Sequence, residues 1–149
     1  MAITKSGLYF LTLEKMHRDT LGQDLEAETH KSMMVTDTEA PNFLTHDFRN
    51  DLLAEITGTN YTAGGVTQTG TEVTGATTIL TFDMIDTVYS NITINSANAM
   101  AQVFYTNVGT SATDQLVVLQ DFVTAADATA ADFTVQHAAT GVYTLDFAP

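Results

Sequence analysis

The 149-residue sequence contains no cysteine, no tryptophan, only two prolines, and no lysine or arginine beyond Arg49. Each absence excludes something. Without cysteine neither a disulfide nor a thiolate metal site can hold the chain, so a hydrophobic core must do it, and this length suits one self-sustaining domain. Without tryptophan the strongest sugar-stacking side chain is missing, which counts against a glycosidase or a lectin. The missing bases say most. All five basic residues, Lys5, Lys15, Arg18, Lys31 and Arg49, precede residue 50, whereas the 18 acidic residues run throughout and the net charge is -13. A phosphate backbone is bound by Lys and Arg that displace counterions, so nucleic acid is not an expected partner. The N-terminal third could present its bases to an acidic surface; the plainer alternative is a solvated surface with an accidental asymmetry.

Long apolar runs are missing too. The stretch Leu8 to Leu13, broken by Thr12 and followed by Glu14 and Lys15, is too short for a membrane span and has no small-residue cleavage site after it. No membrane association or targeting segment is expected. Asn60-Tyr-Thr and Asn91-Ile-Thr match the glycosylation sequon, as coincidences of a Thr-rich chain.

What is present points to β-structure. Hydrophobic residues make up 44% and charged residues only 15%, so the surface relies on Thr, Asn, Gln and Ser, which suits exposed pleated sheet. Residues Ile3 to Met16 read either as a short helix, capped by Thr4 or Ser6 with Leu8, Leu11 and Lys15 along one side, or as a strand. An acidic loop broken at Gly22 follows. Lys31 to Val35 reads as a strand with both methionines inside, and the spacing of Phe43 to Leu53 predicts a helical turn around Arg49. Beyond residue 65 short strands are expected at Val66 to Val73, Thr77 to Phe82 and Val88 to Ile94, the last with Val88, Ile92 and Ile94 on one face. Ala99 to Tyr105 and Leu116 to Val123 are the most apolar and the natural central strands. Asp132 to Gln136 and Val142 to Phe147 read as a closing hairpin, and Ala125 to Ala131 as a surface loop. The expected fold is mainly β, an antiparallel β-sandwich of Ig-like or jelly-roll-like type, with residues 1–30 as a short N-terminal helix or extended arm packed on the domain or a neighbour and residues 31–149 as the single sandwich domain.

Candidate chemistry is sparse. No His-Glu-x-x-His pair occurs, so zinc has little support, and no metal site or cofactor is expected. Glu26, Glu28 and His30 would share one face of a strand and could hold a divalent ion, although a solvated edge explains them as well. Asp83, Asp86, Asp121, Asp127 and Asp132 could supply calcium ligands, but their spacing is not that of a calcium-binding loop. Thr45-His46-Asp47 could suggest a base with its orienting carboxylate, yet no activated nucleophile accompanies it, and a turn is the simpler account. No enzyme activity is expected.

The stretch around which the chain is organised is Gly58-Thr-Asn-Tyr-Thr-Ala-Gly-Gly65. Gly64 and Gly65 can take positive φ and reverse the chain, and Tyr61 can pin the loop by burying its ring with its hydroxyl bonded. Spacing alone does not make it a nucleotide or catalytic loop.

This block also carries a resemblance. Together with Lys31-Ser-Met-Met-Val-Thr, Ala40-Pro-Asn-Phe-Leu-Thr-His-Asp-Phe-Arg-Asn-Asp-Leu52, Phe82-Asp83, Val88-Tyr-Ser-Asn91 and Gln102 to Thr106, it resembles a family of small structural proteins of tailed bacteriophages, encoded among the head genes, over about four-fifths of the chain. Relatives tend to carry tryptophan where this chain has Tyr89, and a basic residue near Asn98, and the chain departs from them at both positions. The resemblance implies a virion protein made in the host bacterial cytoplasm, a decoration or cement protein on the capsid exterior that binds the major capsid protein, as a homo-oligomer that is most simply a trimer. The alternative is a virion-displayed adhesion or glycan-binding module, or a neck or tail component. The expected capsid or subunit contact lies in the N-terminal segment, at Lys5, Leu8, Phe10, Leu11, Lys15 and Arg18, while Gly58, Tyr61, Gly64 and Gly65 form the structural loop.

Overall fold

A computed structural model describes residues 3–18, 23–94 and 99–148. In chain order the elements are β1 (Gly7–Leu8), α1 (Phe10–His17), β2 (His30–Thr36), a 3-10 turn at Arg49–Asp51, β3 (Val66–Gln68), β4 (Glu72–Ala76), β5 (Ile79–Asp83), β6 (Thr87–Ile92), β7 (Ala99–Thr106), β8 (Gln115–Ala126), β9 (Ala131–Val135) and β10 (Tyr143–Asp146). All pairings are antiparallel: a five-stranded sheet ordered β1-β8-β7-β2-β3, a three-stranded sheet β10-β5-β4, and a ribbon β6-β9. The fold is mainly β, in the manner of a sandwich.

The large sheet is covered on both faces, which explains why β7 is apolar nearly throughout instead of alternating. One face carries Met33, Val35, Ala101, Val103 and Tyr105, packed under Ile3, Tyr9, Leu52 and Phe43 of the N-terminal segment and the 43–53 loop. The other face is shared. Met34 and Ala99 meet Tyr89, Ile92 and Val135 of the ribbon, while Phe104, Val117 and Val118 meet Phe82 and Met84 of the small sheet. Both methionines of β2 are therefore buried although they point to opposite sides. In β8, Leu116 and Leu119 share a face despite odd spacing. The pairing skips Val117, since Phe104 faces Val118 and Tyr105 faces Leu116, and this bulge re-phases the strand.

The structure corrects four details. The N-terminal segment is both a short strand and a helix: β1 pairs with Leu119 and Val118 of β8, and α1 starts from Tyr9 with no side-chain cap. Neither Thr4 nor Ser6 caps it; Ser6 Oγ accepts the Asp121 N–H (2.9 Å), and the Phe43 carbonyl takes the Phe10 N–H (2.7 Å). Val88 does not share a face with Ile92, because the β6-β9 register shifts between Tyr89 and Ile92, where Asn91 has a φ of 49°; Thr87 and Tyr89 point inward and Val88 outward. The last two strands form no hairpin. β9 pairs with β6 and β10 with β5, so the turn closed by the Gly141 N–H on the Ala138 carbonyl (2.8 Å) carries the chain from one sheet to another. Finally, Ala125 and Ala126 belong to β8, and Ala126 and Ala128 pack on the ribbon core. The weakly alternating 66–73 stretch divides at Gly70 into β3 and the start of β4. Gly22 and Asn98 lie outside the described residues.

Tyr9 and Tyr89 test this packing. Tyr9 is fully buried and its hydroxyl has no hydrogen-bond partner among the described residues, whereas the Tyr89 hydroxyl reaches the Ser32 carbonyl (2.9 Å) and Gln102 Oε1 (3.2 Å). A buried polar group without a partner carries its full desolvation cost, so Tyr9→Phe is expected to be neutral or stabilising by up to about 1 kcal/mol and Tyr89→Phe destabilising by about 1–2 kcal/mol. Chemical denaturation of both variants checks the contrast.

Candidate functional site

The Gly58–Gly65 block buries its last two glycines and leaves Gly58 to Asn60, Thr62 and Ala63 at the surface. Gly64 and Gly65 have φ of 83° and 73°, and Asn60 also sits at positive φ. A Cβ on Gly65 would lie 1.8 Å from the Ser32 carbonyl oxygen, and one on Gly58 2.3 Å from that of Thr93. Only glycine lets these backbones approach so closely. Thr59 exchanges backbone bonds with Thr93 (3.1 and 3.0 Å), and Asn60 Nδ2 donates to the Asn91 carbonyl (2.9 Å), so the first half of the block is fastened to the end of β6. The second half runs into β3 beside β2.

Glu55 and two tyrosines lock the loop between these attachments. Glu55 Oε1 accepts the Tyr61 hydroxyl (3.0 Å) and the Gly64 N–H (2.5 Å). Tyr61 Oη accepts the Met34 N–H (3.0 Å), and its ring stacks on Tyr89 at 6.0 Å. From the other face, the Tyr105 hydroxyl donates to the Gly64 carbonyl (2.6 Å). Burial, with the Glu55 carboxylate beside it, pushes the Tyr61 phenol far above its usual range. It stays protonated and serves as a hydrogen-bond donor. The Tyr61 hydroxyl and the backbone polar groups of Gly64 are thus bonded within the fold.

The N-terminal residues expected at a contact divide into two groups. Leu8 packs against the core of the small sheet, and Leu11 is half-buried. Lys15 pairs with Asp47 and lies over the Phe48 ring at 4.6 Å, and Arg18 pairs with Glu14 one turn back at 2.9 Å. Arg49, the base at the predicted turn, is bound to the fully buried Asp114 (2.9 Å) and lies over Tyr105 at 5.3 Å. Three of the five bases are thus engaged with carboxylates of the same chain. Lys5 and Phe10 remain outward, Lys5 over the Phe43 ring at 5.8 Å and Phe10 50% exposed.

Around them lies a surface that sequence reasoning missed. Lys5, Pro41, Phe43 and Leu44 line one shallow depression, and the Phe10 N–H bonds the Phe43 carbonyl at its border. The buried Glu39 carboxylate extends the patch: Oε1 accepts the Ala40 N–H (3.1 Å) and Oε2 those of Leu53 and Ala54 (2.8 Å each). This holds Leu53 beside Ala40. Leu44 and Leu53 are 67% and 89% exposed. Apolar residues in irregular loops carry no periodicity, so only their spatial convergence reveals the patch.

The other candidates have structural partners. Glu26 accepts the Val73 N–H (2.8 Å), while His30 points inward at 1% exposure with its ring 4.9 Å from Phe104, so the proposed trio does not converge. Asp83, Asp86, Asp121 and Asp132 each accept a backbone N–H, and no group of three metal-ligating side chains occurs among the described residues. In the 45–47 segment, His46 Nδ1 faces the Asn42 N–H across a turn and Asp47 is held by Lys15 and Gln115. Asp51 organises the following 3-10 turn by accepting the Asp47 and Phe48 N–H groups (2.7 and 2.9 Å).

Two predictions follow from this geometry. At Gly65, alanine meets both the strained φ, about 1–2 kcal/mol, and the Ser32 carbonyl, a further 1–3 kcal/mol or more; Gly64→Ala meets mainly the first. Gly75→Ala, with nothing within 4 Å, serves as the near-neutral control in thermal unfolding. The second concerns His30, whose pKa burial lowers from its ordinary 6.5 and whose two ring nitrogens have no hydrogen-bond partner among the described residues. The unfolded chain then binds the proton first, so stability present above about pH 6.5 is lost as pH falls below it. His30→Leu is expected to flatten that decline in denaturation curves taken across this range.

No protein-family model, curated protein or solved structure matches the chain.

Proposed function

We propose that this chain is a structural protein of a tailed-bacteriophage virion, a decoration protein that binds the outer surface of the major capsid protein lattice through its Lys5-Phe10-Leu44-Leu53 face. The observation that carries the proposal is the exposed apolar patch around the N-terminal segment of a molecule whose net charge is -13. Apolar surface gathered in one place on a soluble chain marks a contact region. The resemblance of the Gly58–Gly65 block to phage head proteins supplies the class of partner. Association of this kind needs shape and apolar burial and no catalytic group, and none is proposed here.

The face is testable without disturbing the fold. Deleting the N-terminal segment would remove Ile3, Tyr9 and Thr12 from the interior, so loss of binding by a truncation would be uninformative. Phe10→Asp, Leu44→Asp and Leu53→Asp each change an exposed side chain, and each is expected to keep the wild-type melting temperature while weakening co-sedimentation with heads of the encoding phage by about tenfold or more, the effect of about 1.4 kcal/mol. Val108→Asp, at a 61% exposed position in a separate loop, should bind normally. Undiminished binding by all three patch variants would exclude this face, and absence of the chain from purified virions by mass spectrometry would exclude the function.

A further inference from the structure

A chain of polar side chains crosses the interior between the large sheet and the ribbon, and its hydrogen-bond directions follow from one carbonyl. Gln68 Nε2 donates to the Ile85 carbonyl, which can only accept, so Gln68 Oε1 must face Thr87 and Ser32. Thr87 Oγ1 therefore donates to Gln68 Oε1 (2.7 Å) and has a lone pair left for His137 Nε2 (3.2 Å), which must carry the ring proton. Neutral His137 then has a bare Nδ1, and Gln120 presents its NH2 to it (3.2 Å). Gln120 Oε1 is left to accept from Gln102 Nε2 (3.1 Å), its cross-strand neighbour, and Gln102 Oε1 (3.2 Å) to share the one Tyr89 hydroxyl proton with the Ser32 carbonyl (2.9 Å). No orientation in this sequence is free once the first is set. Thr87 and His137 also form a hydroxyl–imidazole contact, but in this tautomer His137 donates and is no base toward Thr87.

We propose that this network is a proton-driven amide relay, in which protonation of His137 reverses Gln120 and Gln102 in turn and withdraws one of the two acceptors of the buried Tyr89 hydroxyl. When Nδ1 gains a proton it becomes a donor facing a donor, and Gln120 restores the bond by turning its Oε1 toward the ring. Its NH2 then faces the NH2 of Gln102, which must turn as well. Tyr89 Oη now accepts from Gln102 and gives its proton to the Ser32 carbonyl alone (2.9 Å). Every bond has a partner in the second arrangement too, so the reversal leaves no buried polar group unpaired. The other branch does not move, because Nε2–H donates to Thr87 in both states. Charged groups near His137 are Asp86, whose Oδ1 accepts the His137 N–H (2.9 Å), and Asp83; from β6 and β8 it meets the uncharged Thr87 and Gln120. Burial holds the ring pKa below its ordinary value, against the pull of both aspartates. The neutral state therefore prevails at neutral pH. Since the Tyr61 ring stacks on Tyr89, the relay ends at the loop that joins the two layers.

Side-chain NMR on the intact chain tests the relay. Ring 15N shifts at neutral pH are expected to report the Nε2–H tautomer. Titration from about pH 8 to about pH 5 should move the side-chain NH2 resonances of Gln120 and Gln102 with the His137 midpoint while those of Gln68 stay fixed. In Gln120→Met, His137 should still titrate while Gln102 no longer follows it. An Nδ1–H tautomer, a silent Gln102 in the wild type, or a Gln68 that moves with equal amplitude would overturn the proposal, and the wild-type comparison decides even if the variant does not fold.

Discussion

Strand β2 is buried on both faces from Ser32 to Val35 and has no spare edge, and the rest of the molecule is arranged to satisfy it. Its faces are filled by Met33 and Val35 on one side and His30, Ser32 and Met34 on the other. One edge is paired along its full length with β7. The other edge is covered by β3 only from His30 to Ser32, after which a buried strand would have unpaired backbone groups. Single contacts take over. Tyr61 Oη accepts the Met34 N–H, the Ile56 N–H reaches the Met34 carbonyl (3.0 Å), and the Thr36 N–H reaches the Ala54 carbonyl (2.9 Å). The density of glycine and the one aromatic in the Gly58–Gly65 block follow from this requirement: the loop must lie against β2 closely enough to exclude a Cβ and must bring a hydroxyl to one particular N–H.

The same accounting explains where the positive charge went. Asp114 is fully buried and accepts the Val108 and Gly109 N–H groups (2.9 and 3.1 Å) as well as the Arg49 guanidinium. A buried carboxylate needs such a partner, because an unpaired charge in the interior costs several kcal/mol. Arg49 in turn packs on Tyr105, whose hydroxyl holds Gly64. Two regions far apart in sequence, the 107–114 loop and the glycine block, are thus linked through one arginine and one tyrosine.

Much of this was legible in the sequence. The two most apolar stretches are β7 and β8, the methionine pair is the centre of β2, and the turn at Arg49 is where the spacing put it. Local chemistry was decisive in each case. What stayed hidden depends on pairings between distant segments. Ala138 to Gly141 has the composition of a hairpin turn, yet which strands lie beside β9 and β10 is decided by β6 and β5 elsewhere in the chain. The bulge at Asn91 inverted the expected face of Val88, because one residue at positive φ shifts a period of two. The exposed patch was invisible for a related reason: Phe10, Leu44 and Leu53 come from a helix and two irregular loops, and only the buried Glu39 carboxylate draws the last of these to the others.

The internal use of the bases constrains how the surface can bind anything. Lys5 and Lys31 are the basic residues with no carboxylate partner among the described residues, so electrostatic attraction to an acidic partner has little to work with. Exposed pairs such as Arg18 with Glu14 add little affinity and would have to be broken to serve a partner. An interface on the Lys5-Phe10-Leu44-Leu53 face must therefore draw its free energy from apolar burial, which is insensitive to screening. Three of the five bases that the charge asymmetry gathers in the N-terminal third pair with carboxylates of the same chain. Phe10, Leu44 and Leu53 supply the exposed apolar side chains of that face and Lys5 its base. The net charge of -13 opposes close approach of copies of the chain.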